Sequence, residues 1–203
     1  MLICGGRRRV DRREAILEAA EALFLEHGYD RVSLGAIVKR SGGSLATLYE
    51  LFENKQGLLR AVVGQAVAER DDAIEAMIAD GHRPSEVLRA IARHLTASLS
   101  APRMIGLMRI VMIEGLRDPE FAQRFYTEYS HVWTLRLAAQ LREWHDAGLA
   151  VIDDCEGAAD LYFGMLLHDV QMRGLFRTGE DGTRDDRDPS WRIEPFITHY
   201  RVR

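Results

Sequence analysis

Residues 28–60, GYDRVSLGAIVKRSGGSLATLYELFENKQGLLR, decide the fold. Ser33 opens a short amphipathic segment reaching about Arg40, with Leu34, Ile37 and Val38 on its inner side. Ser41-Gly42-Gly43 forces a turn, and Ser44 opens a second segment that ends at Leu51 or Phe52. There Leu48, Leu51 and Phe52 point inward, leaving Ser44, Leu45, Thr47 and Tyr49 on a side the core does not need. A capped helix, a glycine turn and a short helix with a spare face make a helix-turn-helix. The last helix of such a unit can lie in the DNA major groove.

Working outward, Ile16, Ala19, Ala20, Leu23 and Phe24 space a one-sided helix from Asp11 to His27, which Gly28 stops. Ahead of it, residues 1–10 form a basic arm with Arg7-Arg8-Arg9, and Arg12 and Arg13 extend the positive charge. Asn54 starts a long fourth helix reaching about Ala79, with Leu58, Leu59, Val62, Ala66 and Val67 inward. The spacing therefore predicts a DNA-binding domain over 11–57 and a second domain over 58–203.

Downstream, Pro84 opens a helix to about Leu99, and Met104–Leu116 is dense enough in apolar residues to be a buried helix. Asp118-Pro119-Glu120 opens a long helix ending near Gly148, and Asp153 or Asp154 opens another reaching about Phe176. The polar stretch TGEDGTRDDRD at 178–188 reads as a loop, and a last helix runs from Pro189 to about Arg201. No stretch sustains two-residue alternation, so the expectation is an all-α chain of about nine helices.

Composition agrees with a DNA-facing head on a body that does not touch DNA. Residues 1–60 carry 10 Lys and Arg against 8 Asp and Glu, the remainder 17 against 23, for a net charge of −4. No apolar run approaches a bilayer span, so the expectation is a cytoplasmic protein with no membrane partner. Cys4 and Cys155 make neither a disulfide framework nor a metal quartet, and no CxxC or HxxxH pair is present. No metal and no cofactor are expected.

On the reading helix, the hydroxyls of Ser44, Thr47 and Tyr49 suit phosphate oxygens, and Lys55 adds its charge at a helix start. Arg12, Ser33 and Arg40 complete the set of candidate DNA contacts. Leu45 is read as an apolar contact to a thymine methyl, or else as packing against the first helix.

At these positions the chain resembles the N-terminal domain of the TetR family of bacterial regulators. The resemblance covers residues about 12–60 and rests on Ala19-Ala20, Phe24, Gly28-Tyr29, Ser33, Ile37, Gly42, Ser44, Thr47-Leu48-Tyr49, Phe52, Lys55 and Leu58-Leu59. Val38 stands where the family usually has alanine, Gly43 where it has valine, Leu45 where it commonly has a basic residue and Ala46 where it commonly has glycine. SGGSLATLYELF and RIVMIEGLRDPEFAQRFY resemble the AefR-like subgroup. The resemblance implies a homodimer, a palindromic double-stranded DNA operator, and a C-terminal domain whose small-molecule effector switches DNA affinity.

Two uses of the body follow. Leu161, Met165, Leu166, Trp191, Ile193, Phe196, Ile197 and Tyr200 on the last two helices could close a four-helix bundle with a second copy, or could complete the monomer's own core. Met104, Met108, Arg109, Met112, Phe125, Tyr129, Trp133, Met165, His168 and Met172 combine adaptable apolar walls with polar points, as a ligand pocket does. Ordinary core packing has the same periodicity. Rival readings are a helical DNA-binding protein without an effector and an α-helical enzyme. No Ser/His/Asp set, carboxylate pair or phosphate loop with convincing spacing supports the enzyme.

Overall fold

The computed structural model describes the backbone of residues 4–79, 82–176 and 188–203, and their side chains apart from 4–9, 68–75, 79, 173 and 175. Among these residues there are helices and no strands. They are α1 (Cys4–His27), α2 (Leu34–Ser41), α3 (Leu45–Phe52), α4 (Lys55–Ala79), α5 (Pro84–Leu99), α6 (Pro102–Arg117), α7 (Pro119–Phe125), α8 (His131–Asp146), α9 (Cys155–Phe176) and α10 (Glu194–His199). A π-helical turn, Tyr126–Ser130, links α7 to α8, and a 3₁₀ turn, Pro189–Ile193, precedes α10. Except for Asp188, the polar loop expected at 178–188 lies outside the described residues.

The chain divides into two compact units. One takes residues up to 68 together with 110–122; the other takes 69–109 with 123–203. The first unit therefore extends past the boundary expected after residue 57. Leu58, Leu59, Val62 and Val63 of α4 are fully buried there, so the head's core does not end with α3. Ile16, Leu17, Ala20 and Phe24 of α1, Ile37 of α2, and Leu48 and Phe52 of α3 are buried in the same unit. Helix α1 begins at Cys4, not Asp11, and residues 4–10 hold no proline to break it. The Arg7-Arg8-Arg9 run is thus helical backbone and not an arm ahead of the helix.

In the second unit α5, α8, α9, the 3₁₀ turn and α10 close one core around Leu88, Leu141, Tyr162, Leu166, Ile193 and Phe196. The Tyr162 hydroxyl, fully buried, donates to the Leu88 carbonyl at 2.6 Å, which satisfies the one polar atom this aromatic brings inside. Arg89 holds Glu194 through two bonds of 2.6 and 2.9 Å, and Arg192 reaches Asp169 at 2.9 Å. The Val151 N–H donates to the Tyr200 carbonyl at 2.8 Å and the Arg203 N–H to the Leu149 carbonyl at 2.9 Å. Cys155 is a buried free thiol.

Two helices differ from expectation. The last one is a 3₁₀ turn followed by α10, not a single helix from Pro189. Pro195 has no N–H and its ring would clash with the preceding turn of a continuous helix, so α10 restarts with Pro195 in its first turn. Asp188 starts the 3₁₀ turn by accepting from the Ser190 N–H at 2.9 Å. The long helix expected from Asp118 to Gly148 is interrupted by the π turn.

Candidate DNA-reading surface

Local chemistry builds the helix-turn-helix. Ser33 Oγ accepts from the Ala36 N–H at 3.1 Å and caps α2. Ser44 Oγ accepts from the Thr47 N–H at 3.2 Å, caps α3, and shares a 3.1 Å hydrogen bond with Thr47 Oγ1. Between them Gly42 and Gly43 stand at φ +74° and +107°, where a side chain would be strained. Arg12 crosses this turn and its Nη1 donates to the Ser41 carbonyl at 3.3 Å. A Cβ at Gly42 would lie 3.2 Å from that nitrogen, so the turn is bare partly to admit the arginine. Glu53, at φ +63°, sends its N–H back to the Tyr49 carbonyl and ends α3 after eight residues.

The outer face of α3 is unlike its inner face. Leu48 and Phe52 are buried, whereas Leu45 is 45% and Tyr49 51% exposed. Ser44 is exposed and Thr47 half-buried. Leu45 therefore does not belong to the buried core of the head. Arg40 is exposed, with only a 3.5 Å approach to Glu26.

Lys55 is placed differently from the free phosphate contact that the sequence suggested. Its ammonium donates to the Tyr29 carbonyl at 2.5 Å and lies 4.2 Å from the Tyr29 ring centre. Burial pushes its pKa below the ordinary lysine value, while Asp30 and Glu114 push the other way. Burial also raises the Tyr29 phenol, with Glu114 and Asp30 adding to it. The lysine thus ties the start of α4 to the residue after Gly28, and Tyr29 packs against Phe24 at 5.1 Å. Close by, Arg117 Nη1 donates to both Asp30 oxygens at 2.8 and 2.9 Å and to Glu114 Oε1 at 3.1 Å. Sequence reasoning missed this grouping. Its one visible signal is a glutamate inside the apolar run of α6.

Comparison with known proteins bears on what this surface is for. Residues 16–62 match the family described as bacterial regulatory proteins, tetR family, and residues 86–201 match the AefR-like transcriptional repressor C-terminal domain. The chain belongs to the TetR family of transcriptional regulators. Among TetR relatives, the regulator UidR of Escherichia coli is 29% identical over 175 residues, 81% of this chain and 84% of UidR. The E. coli repressor ComR is 44% identical over 62 residues, a match that spans only 30% of ComR's length. A solved TetR-family regulator from Mesorhizobium loti superposes with a TM-score of 0.81 at 26% identity, covering 95% of this chain and 98% of that one. The flavonoid-responsive regulator FrrA superposes with a TM-score of 0.68, also at 26% identity, covering 93% and 94%.

Within this TetR chain the body residues fall out less as expected. Leu166, Ile193, Phe196 and Ile197, expected at a dimer interface, are buried in the monomer's own core. Periodicity reports that a face is covered but not which molecule covers it. Of that group Leu161 and Trp191 are 48% and 46% exposed, while Met165 and Tyr200 are half-buried against the core. The expected pocket residues differ in burial. Met104 and Phe125 are buried. Met108, Arg109, Met112, Tyr129, Trp133 and Met165 are half-buried. His168 and Met172 are exposed. Among the described residues, no helix is long and apolar enough to cross a membrane.

Proposed function

We propose that this chain is a homodimeric repressor whose paired α3 helices read a palindromic operator, and that a small apolar or amphipathic effector taken up by the body releases it. The exposed Leu45 and Tyr49 on a capped, eight-residue helix carry the reading half of this proposal. Both side chains stand outside the head's buried core, beside polar groups suited to phosphates. For the dimer, the support has moved from α10 to α9. Leu161, Gly164, His168 and Met172 are exposed at a spacing that runs along one side of that helix, and Leu135 is exposed on α8. An aromatic or otherwise apolar effector is favoured by the half-buried methionines and by FrrA, which responds to flavonoids.

The deciding experiment selects duplexes from a random pool, then titrates the recovered sequence and a scrambled one at several salt concentrations. The proposal requires tighter binding to a palindrome once salt is matched. Equal affinity for both duplexes would leave a DNA-binding protein without sequence preference. An effector must lower operator affinity by the same factor by which operator lowers effector affinity.

A further inference from the structure

Helix α1 carries Arg12 and Arg13 one turn ahead of the fully buried Ile16 and Leu17, so their backbone is well seated although both side chains are exposed. The two side chains reach opposite ends of α3. Arg12 runs across the turn that precedes it, where Nη1 donates to the Ser41 carbonyl at 3.3 Å. Its stem fits there as well as its charge. A Cβ at Gly43 would lie 3.5 Å from Arg12 Cδ and 3.7 Å from Cζ, so the arginine covers the space a side chain of the turn would fill. Arg13 reaches the far end, its guanidinium carbon 5.7 Å from the ring centre of Phe52, the last residue of α3. That is within cation–π range.

Helix α3 needs such support. Of its eight residues Leu48 and Phe52 are buried, one turn apart on the same side. A seat along one line opposes rotation about that line only weakly, whereas ties at the two ends oppose it directly. Arginine suits the task. Its planar, weakly hydrated guanidinium lies flat on a ring or a bare turn while one N–H holds a carbonyl, and a lysine ammonium lacks that plane.

We infer that Arg12 and Arg13 are positioning residues for DNA binding, a clamp that holds the reading helix at both ends, and that neither charge is engaged by a phosphate. The inference rests on α3 being the helix that faces DNA. A helix able to turn on its seat presents its DNA-facing side for part of the time, and apparent affinity falls by that fraction. A phosphate contact depends instead on charge, and each one lost flattens the plot of log affinity against log salt by about one.

The test uses the full chain with each arginine changed to Lys, which keeps the charge, and to Met, which keeps an unbranched stem without it. Every variant is titrated at several salt concentrations against the duplex recovered from the random pool and against its scrambled counterpart. Equal binding of the two duplexes by the unaltered chain would refute palindrome reading, yet the comparison among variants stands on either duplex. Arg12→Lys, Arg12→Met, Arg13→Lys and Arg13→Met should each weaken binding about threefold or more, a competent fraction cut to about a third, with the salt slope unchanged. Amide hydrogen exchange in α3 of the free variants should quicken, return to the unaltered rate when DNA is saturating, and stay unchanged in α2. The inference is overturned if the Lys variants bind as tightly as the unaltered chain, or if the Met variants lose about one unit of salt slope. Exchange that stays slow in α3, or quickens equally in α2, would overturn it as well.

Discussion

Helices α3 and α10 are both short, and both carry aliphatic and aromatic residues, LATLYELF against EPFITH. They end up doing opposite things. Helix α3 turns Leu45 and Tyr49 out to half exposure, while α10 keeps Phe196 at 2% and Ile197 at 7%. The difference lies in what holds each helix. Helix α3 is capped by Ser44 and seated along one side by Leu48 and Phe52, which leaves Leu45 and Tyr49 on the other side out of the core. Helix α10 has no side-chain cap and is anchored through its side chains, with Phe196 edge-on to Tyr162 at 5.5 Å. A capped helix seated along one side can lend its other side to a partner.

Substitutions test that contrast in descending order of effect. Phe196→Asp should cost about 3–5 kcal/mol or more, because it removes a buried ring and buries a charge. Thermal melts would show this as loss of the body's cooperative transition. A variant that melted normally and merely sedimented as a monomer would restore α10 to the interface. Lys55→Ala should cost about 1–2 kcal/mol in urea unfolding, through the lost bond to the Tyr29 carbonyl and the lost ring contact. If stability held and only DNA affinity fell, Lys55 would be a phosphate contact after all.

Smaller effects follow. Ser44→Ala should lower stability by about 1 kcal/mol, the usual worth of an N-cap. Arg89→Gln should cost less than about 1 kcal/mol at neutral pH, since its partner Glu194 is largely solvated. The two bonds from Arg89 hold the Glu194 carboxyl below its ordinary value. Their stabilisation is therefore present above the unfolded carboxylate pKa and lost as pH falls through the folded one. The variant should show a flatter acid limb in a stability-against-pH curve. Leu45→Ala and Tyr49→Phe should change stability by no more than about 0.5 kcal/mol. Leu45→Ala should alter preference among operator sequences, and Tyr49→Phe should weaken binding to all duplexes alike.

The head was legible in the sequence because its signals are local. Ser33 and Ser44 cap the helices they precede, Asn54 accepts from the Gly57 N–H at the start of α4, and two glycines occupy the turn. Exposure of Leu45 and Tyr49 followed from the inward phase of Leu48 and Phe52. The body was legible only as helices. Burial of Phe196 and Ile197 looks the same in a pattern whether the cover is the same chain or another. The charged grouping of Asp30, Glu114 and Arg117 joins residues far apart in sequence, where spacing carries no information. Pro195 was visible all along, and its missing N–H was reason enough to end a continuous last helix.

The π turn at Tyr126–Ser130 bears on how the body tolerates changes in length. Continued as a regular α-helix, the chain would set buried Thr134 about 180° around the axis from buried Phe125. The wider turn takes up the slack of one surplus residue and brings the two back toward a common side. Shortening the chain by one residue inside 126–130 should simply tighten the coil and leave Leu137, Leu141 and Trp144 seated. The same deletion at Ala139 would swing Leu141 and Trp144 about 100° out of the core. This segment is where the body can gain or shed a residue without re-threading its interior.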